Sequence, residues 1–142
     1  MNDDLILKCL DDIKARLSSI PALSNKVTFV MDDDEALAKI KGMAFPQACY
    51  LYEGMHPIDT RDQKGISCQA VFGLLILTKI EQLAGKDNKN AAIKLLDDVR
   101  KAMREKRAPV TNHWRFVVEA TATKKDTVVI YLQRWAVPVQ MV

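Results

Sequence analysis

The closing stretch of the chain, Thr127–Val142 (TVVIYLQRWAVPVQMV), is apolar on both faces of any strand it could form. A strand wetted on one face alternates apolar and polar residues. Here Val128, Ile130 and Leu132 point one way, and Val129, Tyr131 and Trp135 the other. One face can lie on the chain's own core. The second needs a cover, and in a chain of only 142 residues another subunit can supply it. Two readings of Tyr131 and Trp135 therefore stand side by side: they complete the core, or they form a subunit interface, where Trp and Tyr are enriched. Pro138 lacks an N–H and belongs at a strand end or edge. An open edge can recruit a neighbouring strand.

At this length one domain, residues 1–142, is expected. Hydrophobic residues at 49% and charged residues at 27% allow an ordinary core. A net charge of +3 is too small to argue for nucleic-acid binding by itself. The three cysteines, Cys9, Cys49 and Cys68, are scattered with no CxxC, which fits a reducing cytoplasm. MNDDLILKCLDD has acid where a signal peptide needs base, and no run approaches the roughly 20 apolar residues of a membrane span. A soluble protein made in the cytoplasm, with no membrane partner, is expected.

Helical spacing of Ile6, Leu10, Ile13 and Leu17 predicts a helix from about Asp3 to Ser19, stopped by Pro21. Lys26–Met31 is a short β-branched strand. Asp32 with Glu35 three residues on is an Asp variant of the capping box, opening a helix of about two turns before Gly42. Pro46–Glu53 reads as a strand and Gly54–Gly65 (GMHPIDTRDQKG) as a loop. Ile66–Gln82 contains a long third strand, with Val71, Leu75 and Leu77 on one face and Phe72, Leu74 and Ile76 on the other. A buried helix is the alternative for such a run, and Gly73, the β-branched residues and the glycine-bounded loop before it favour the strand. Gly85–Asn90 is a polar turn. Asn90–Lys106 is a helix with Ala92, Leu95, Leu96, Val99, Ala102 and Met103 in one stripe. Trp114–Thr123 alternates, placing Trp114, Phe116, Val118 and Ala120 on one side, and Lys124–Asp126 turns it into the last strand as a hairpin. The order is α-β-α-β-β-α-β-β. The expected class is α+β, a mainly antiparallel five-stranded sheet with the two long helices on one face.

No stretch carries a catalytic signature. Asp32–Glu35 holds carboxylates suited to a hard cation, but an acidic first helical turn accounts for them. His56 and His113 are far apart, in loop-like sequence, without HxxxH or CxxC, so no metal site is expected. A Cys–His nucleophile pair stays open because such members need not be near in sequence, though Cys9, Cys49 and Cys68 fall at core positions. The five glycines form neither GxGxxG nor GxxxxGK[ST]. Arg100, Lys101, Arg104, Lys106 and Arg107 crowd the end of the last helix. Cations there complement the helix dipole; the other reading is a phosphate-facing patch, without the interleaved aromatics of single-strand binders.

An N-terminal helix, a short strand, paired strands around a long loop, a helix reading LLDDVRKAMR and a closing hairpin ending in YLQRWAVPV together resemble the tail terminator proteins of long-tailed bacteriophages, also called tail completion or minor tail U-like proteins. The resemblance spans nearly the whole chain and rests on order, length and the texture of the last two strands, with no signature motif. It implies an α+β fold, no enzymatic activity and no cofactor. It also implies a homohexameric ring on the end of the tail tube, which stops tube polymerisation and offers the surface for head attachment. Its implied partners are other copies of itself, the tail tube protein and a head–tail connector protein, with DNA passing through the ring; its implied location is the virion tail. On this resemblance Val129, Tyr131 and Trp135 would lie at a subunit contact, Arg100, Lys101, Arg104, Lys106 and Arg107 would face the lumen, and Gly54–Gly65 would project toward a partner. A ring uses a heterologous interface, which needs surplus apolar surface on a small domain. The competing expectations are a small cytoplasmic dimeric binding module with a protein or nucleic-acid partner, and an enzyme with its site near Cys49 or His56. On the interface reading, Trp135→Ala weakens assembly more than folding.

Overall fold

A computed structural model describes residues 2–38, 45–59, 66–79, 86–105, 108–109, 113–125 and 128–141. Helix α1 spans Asn2–Ser18, with Cys9, Ile13 and Leu17 buried at four-residue intervals. It ends where Ser19 Oγ donates to the Arg16 carbonyl at 2.6 Å and Pro21 opens a short 3-10 turn. Asn25, at φ +62°, turns the chain into strand β1, Val27–Phe29. Helix α2, Asp33–Ala38, follows. The Asp32 carboxylate accepts the Glu35 N–H at 2.8 Å, and the Glu35 carboxylate accepts the Met31 N–H at 2.6 Å. The two acids thus cap reciprocally, as their spacing suggested. Strands β2 (Gln47–Asp59) and β3 (Ile66–Lys79), helix α3 (Lys86–Arg104) and strands β4 (Arg115–Lys125) and β5 (Val128–Met141) complete the order.

The fold is α+β on one five-stranded sheet of order β1-β2-β3-β5-β4. The sheet is mixed. β2–β3, β3–β5 and β5–β4 are antiparallel, but β1 pairs with β2 in parallel, Val27 opposite Ala48 and Phe29 opposite Tyr50. The expectation of a mainly antiparallel sheet needs that correction. Its cause is that α2 and its flanks form a crossover long enough to return the chain in the same direction.

Three further differences concern register. The segment from Gly54 onward is not a loop at first: β2 continues through Pro57 to Asp59 along β3, while residues 60–65 lie outside the described residues. Bulges between Tyr52 and Gly54 and between Pro57 and Asp59 absorb the turn-forming residues, and Gly54 takes φ +102°. β1 reaches no further than Tyr50, so Pro57 sits where β2 has an open side and its missing N–H breaks no second ladder. In β4 a bulge between Phe116 and Val118 puts Phe116 opposite Trp135 and Val118 opposite Arg134, splitting residues expected on one face. Helix α3 begins at Lys86, four residues earlier than expected.

Both long helices lie on one face of the sheet. There Cys9, Ile13 and Leu17 of α1 and Leu95, Leu96, Val99 and Met103 of α3 pack with Tyr50, Phe72, Leu74, Ile76, Trp135 and Val137. The opposite face carries a second cluster: Cys49, Leu51, Leu75, Leu77, Val128 and Ile130, joined by Val30 and by Ala36 of α2. These are all 7% exposed or less. The described apolar residues of β3 and β5 are therefore covered largely from within the subunit, and the surplus of bare apolar sheet expected of strands three and five is not there. On that face Val30, Ala36 of α2 and the partly buried Phe45 add cover beyond the two long helices.

Candidate subunit interface

Trp135 lies on the helix-covered face, 1% exposed, and not on a face open to a neighbour. Its ring stands edge-on to Phe116 with centroids 5.3 Å apart, and its indole N–H donates to Gln133 Oε1 at 2.9 Å. Tyr131 packs against the same core and is half-buried, as is Val129. The division of β5 into two apolar faces is as read from the sequence, but the face of Val129, Tyr131 and Trp135 is the one under α1 and α3. Placing Trp135 at a subunit contact is corrected accordingly: burying an indole beside its own hydrogen-bond acceptor leaves no surface to offer a partner.

Gln133, fully buried, organises the polar side of this core. Its amide nitrogen donates to Glu119 Oε1 at 2.8 Å and to the Leu96 carbonyl at 3.2 Å. Glu119 also accepts Arg100 of α3 in an ion pair. The basic cluster thus divides. Arg100 is held to β4, and Lys101 pairs with Asp97 one turn back at 3.0 Å. That carboxylate is held below its usual range, first by the Lys101 hydrogen bond. Arg104 is exposed. Lys106 and Arg107 lie outside the described residues.

The far end of α3 is tied down from α1. Arg16 Nη1 donates to the Ala102 and Met103 carbonyls at 2.8 and 3.0 Å, a cation on the helix C-terminus. Asp12 accepts Arg16 Nε at 2.7 Å and Trp114 Nε1 at 2.9 Å. On the opposite sheet face, Arg134 Nε reaches both Glu53 oxygens, at 2.9 and 3.2 Å, across Gly73, where a Cβ would collide with that carboxylate.

The cysteines are buried in α1, β2 and β3. Burial, with Asp12 nearby, pushes the Cys9 thiol up from 9.0 to about 11. A thiol so shifted is neutral at pH 7 and a poor nucleophile. His56 is exposed within β2 rather than a loop, and His113 is exposed just before β4. Because the folded-state pKa of Cys9 is raised, its contribution to stability is complete below about pH 9 and is lost as pH climbs toward about 11. We expect the cysteines to resist a disulfide-exchange reagent at pH 7.5 and to react on unfolding in urea. Fast stoichiometric labelling of the folded protein would contradict their burial.

Among the described residues, Leu7 of α1 and Ile93 of α3 are exposed singly on the helices, and the other large exposed apolar side chains pair up on the sheet rims. At the β1 rim, Phe29 and Met31 are 40% and 72% exposed; at the β4 rim, Phe116 and Val117 are 49% and 46% exposed. Sequence reading missed all four, because local pattern does not say which strands end a sheet. Pro138 offered an edge signal; β5 has neighbours on both sides, but the β4 ladder stops at Ala136, two residues short of Pro138.

No family model and no curated protein sequence matches the chain. Among solved structures it is similar to a chain of the virion of a native gene transfer agent particle, with a TM-score of 0.59 and 12% sequence identity. The likeness covers 96% of this chain and 97% of that one, and it shows a shared fold.

Proposed function

We propose that this chain is a structural virion protein: a ring-forming tail terminator that caps the tail tube, stops its polymerisation and offers the head-attachment surface. The observation that carries the reading is the likeness to a chain of a gene transfer agent virion over 96% and 97% of the two lengths. A match that leaves almost nothing over on either side is what two proteins of one architectural role would give. The order and closing hairpin that resemble tail terminators point the same way. Bare apolar sheet gives no support, since strands β3 and β5 are covered within the subunit. Two open rims, each with exposed apolar side chains, take its place, since a ring needs two different contact patches on every copy.

In this reading the protein is no enzyme and needs no cofactor. It forms a hexamer on the tube, contacts the tail tube protein on one side and a connector protein on the other, and lets DNA pass. Arg104 and the exposed Lys101, which also pairs with Asp97, are the described cations offered to the lumen; Arg100 is committed to Glu119. Deleting the gene from its phage or prophage tests the role. The expected result is tail tubes longer than wild type and without heads, restored to normal length by the gene in trans. Normal tubes, or no tubes at all, would overturn the terminator role.

A further inference from the structure

The two rims of the sheet differ in sign as well as position. Beside the exposed Phe29 and Met31, the chain turns straight into Asp32, Asp34 and Glu35. Between residues 26 and 38 the one cation is Lys26, at the far end of β1. Beside the exposed Phe116 and Val117 stands Arg115, and Lys124 continues the basic side at the far end of β4; the strand has a single acid. That acid is Glu119, whose carboxylate is taken by Arg100 and Gln133. One rim is apolar and acidic, the other apolar and basic.

We propose that these rims bind each other between copies, the β4 rim of one subunit against the β1 rim of the next. The occupant of each rim is a second copy of this chain. Like rims repel, cation on cation at β4 and acid on acid at β1, so a two-fold dimer through either rim is disfavoured and head-to-tail contact is favoured. β4 is also bulged twice, after Phe116 and after Thr121. A bulged rim does not template an unlimited ladder, so side chains select the partner. Four strand spacings separate the rims, roughly 19 Å, so one copy can hold two neighbours at once. The proposal deepens the ring reading and rests on it only for closure of the chain of contacts.

Two double variants at exposed positions test it by sedimentation. Met31→Lys with Asp34→Lys disables the β1 rim; Arg115→Thr with Val117→Thr disables the β4 rim and adds no acid that could pair with the new lysines. Circular dichroism and thermal midpoint check that both fold. Wild-type protein is expected to associate beyond the dimer as concentration rises, and less so as salt rises. Each variant alone is expected to be at least about tenfold weaker in self-association. An equimolar mixture is expected to give a 1:1 complex and nothing larger, because one intact rim of each kind remains. Wild-type protein that stays monomeric to its solubility limit overturns the proposal. So does a β1-rim variant that dimerises by itself, or a mixture no different from its components. Rim pairing with normal tube length on gene deletion would fail the terminator reading alone; over-long tubes with a monomeric protein would fail rim pairing alone.

Discussion

Trp135→Ala is expected to cost about 3–5 kcal/mol of folding stability. The indole is 1% exposed, meets Phe116 edge-on at 5.3 Å and donates to Gln133. Its removal opens a cavity between sheet and helices and leaves Gln133 Oε1 without that donor. Against a total of about 5–15 kcal/mol for a small domain, such a loss dominates any effect on assembly. Urea unfolding followed by circular dichroism should show a much lower midpoint with an unchanged slope. An unchanged midpoint together with lost self-association would restore Trp135 to a subunit contact.

Asp12→Ala is expected to cost about 2–3 kcal/mol, a large effect for a residue only partly shielded. One carboxylate oxygen holds both the Arg16 guanidinium and the Trp114 indole. The Arg16 side chain is 9% exposed, so the substitution removes a close carboxylate from a nearly buried cation. Asp12→Asn keeps an acceptor for Trp114 while removing the charge, and should lose about half as much. Thermal unfolding of the pair separates the contributions. Equal losses from both variants would show that charge alone matters there, and no loss from either would show that the junction of α1, α3 and the Trp114 segment carries little stability.

Much of the architecture was readable wherever a pattern ran long enough to be unambiguous. The stripe from Ala92 to Met103 fits one face of a helix, and the runs of β3 and β5, apolar on both faces, fit strands, which the fold places inside the sheet. Asp32 and Glu35 announced a helix start because both partners of the cap sit within four residues. What was not readable depends on residues distant in sequence. Gly54 and Pro57 are turn-formers by local chemistry, yet β3 offered ladder partners as far as Ser67 and the strand ran on through them. The bulge at Val117 shifted Phe116 and Val118 to opposite faces, a displacement alternation alone does not reveal.

The assembly surface was the least legible part. Two apolar faces on β5 were visible in the sequence, but which of them the helices would cover was not. Aromatic weight on the Tyr131–Trp135 side could serve an interface or a core equally well, and the core took it. Nor could the sequence show that Val30, Phe45 and Ala36 of α2 would pack together on the other face. The exposed Phe29, Met31, Phe116 and Val117 stand out only after the strand order is known.

The hydrogen-bonded path from Arg100 through Glu119 and Gln133 to Trp135 has a mechanical consequence. Outermost strands commonly fray, but here the middle of β4 is bolted to a helix on one side and to the deepest indole on the other. A docking neighbour would meet a stiff rail already in its bound shape, so little ordering entropy would oppose the encounter. Load applied along that rail would be carried into the helical layer rather than peeling the strand away.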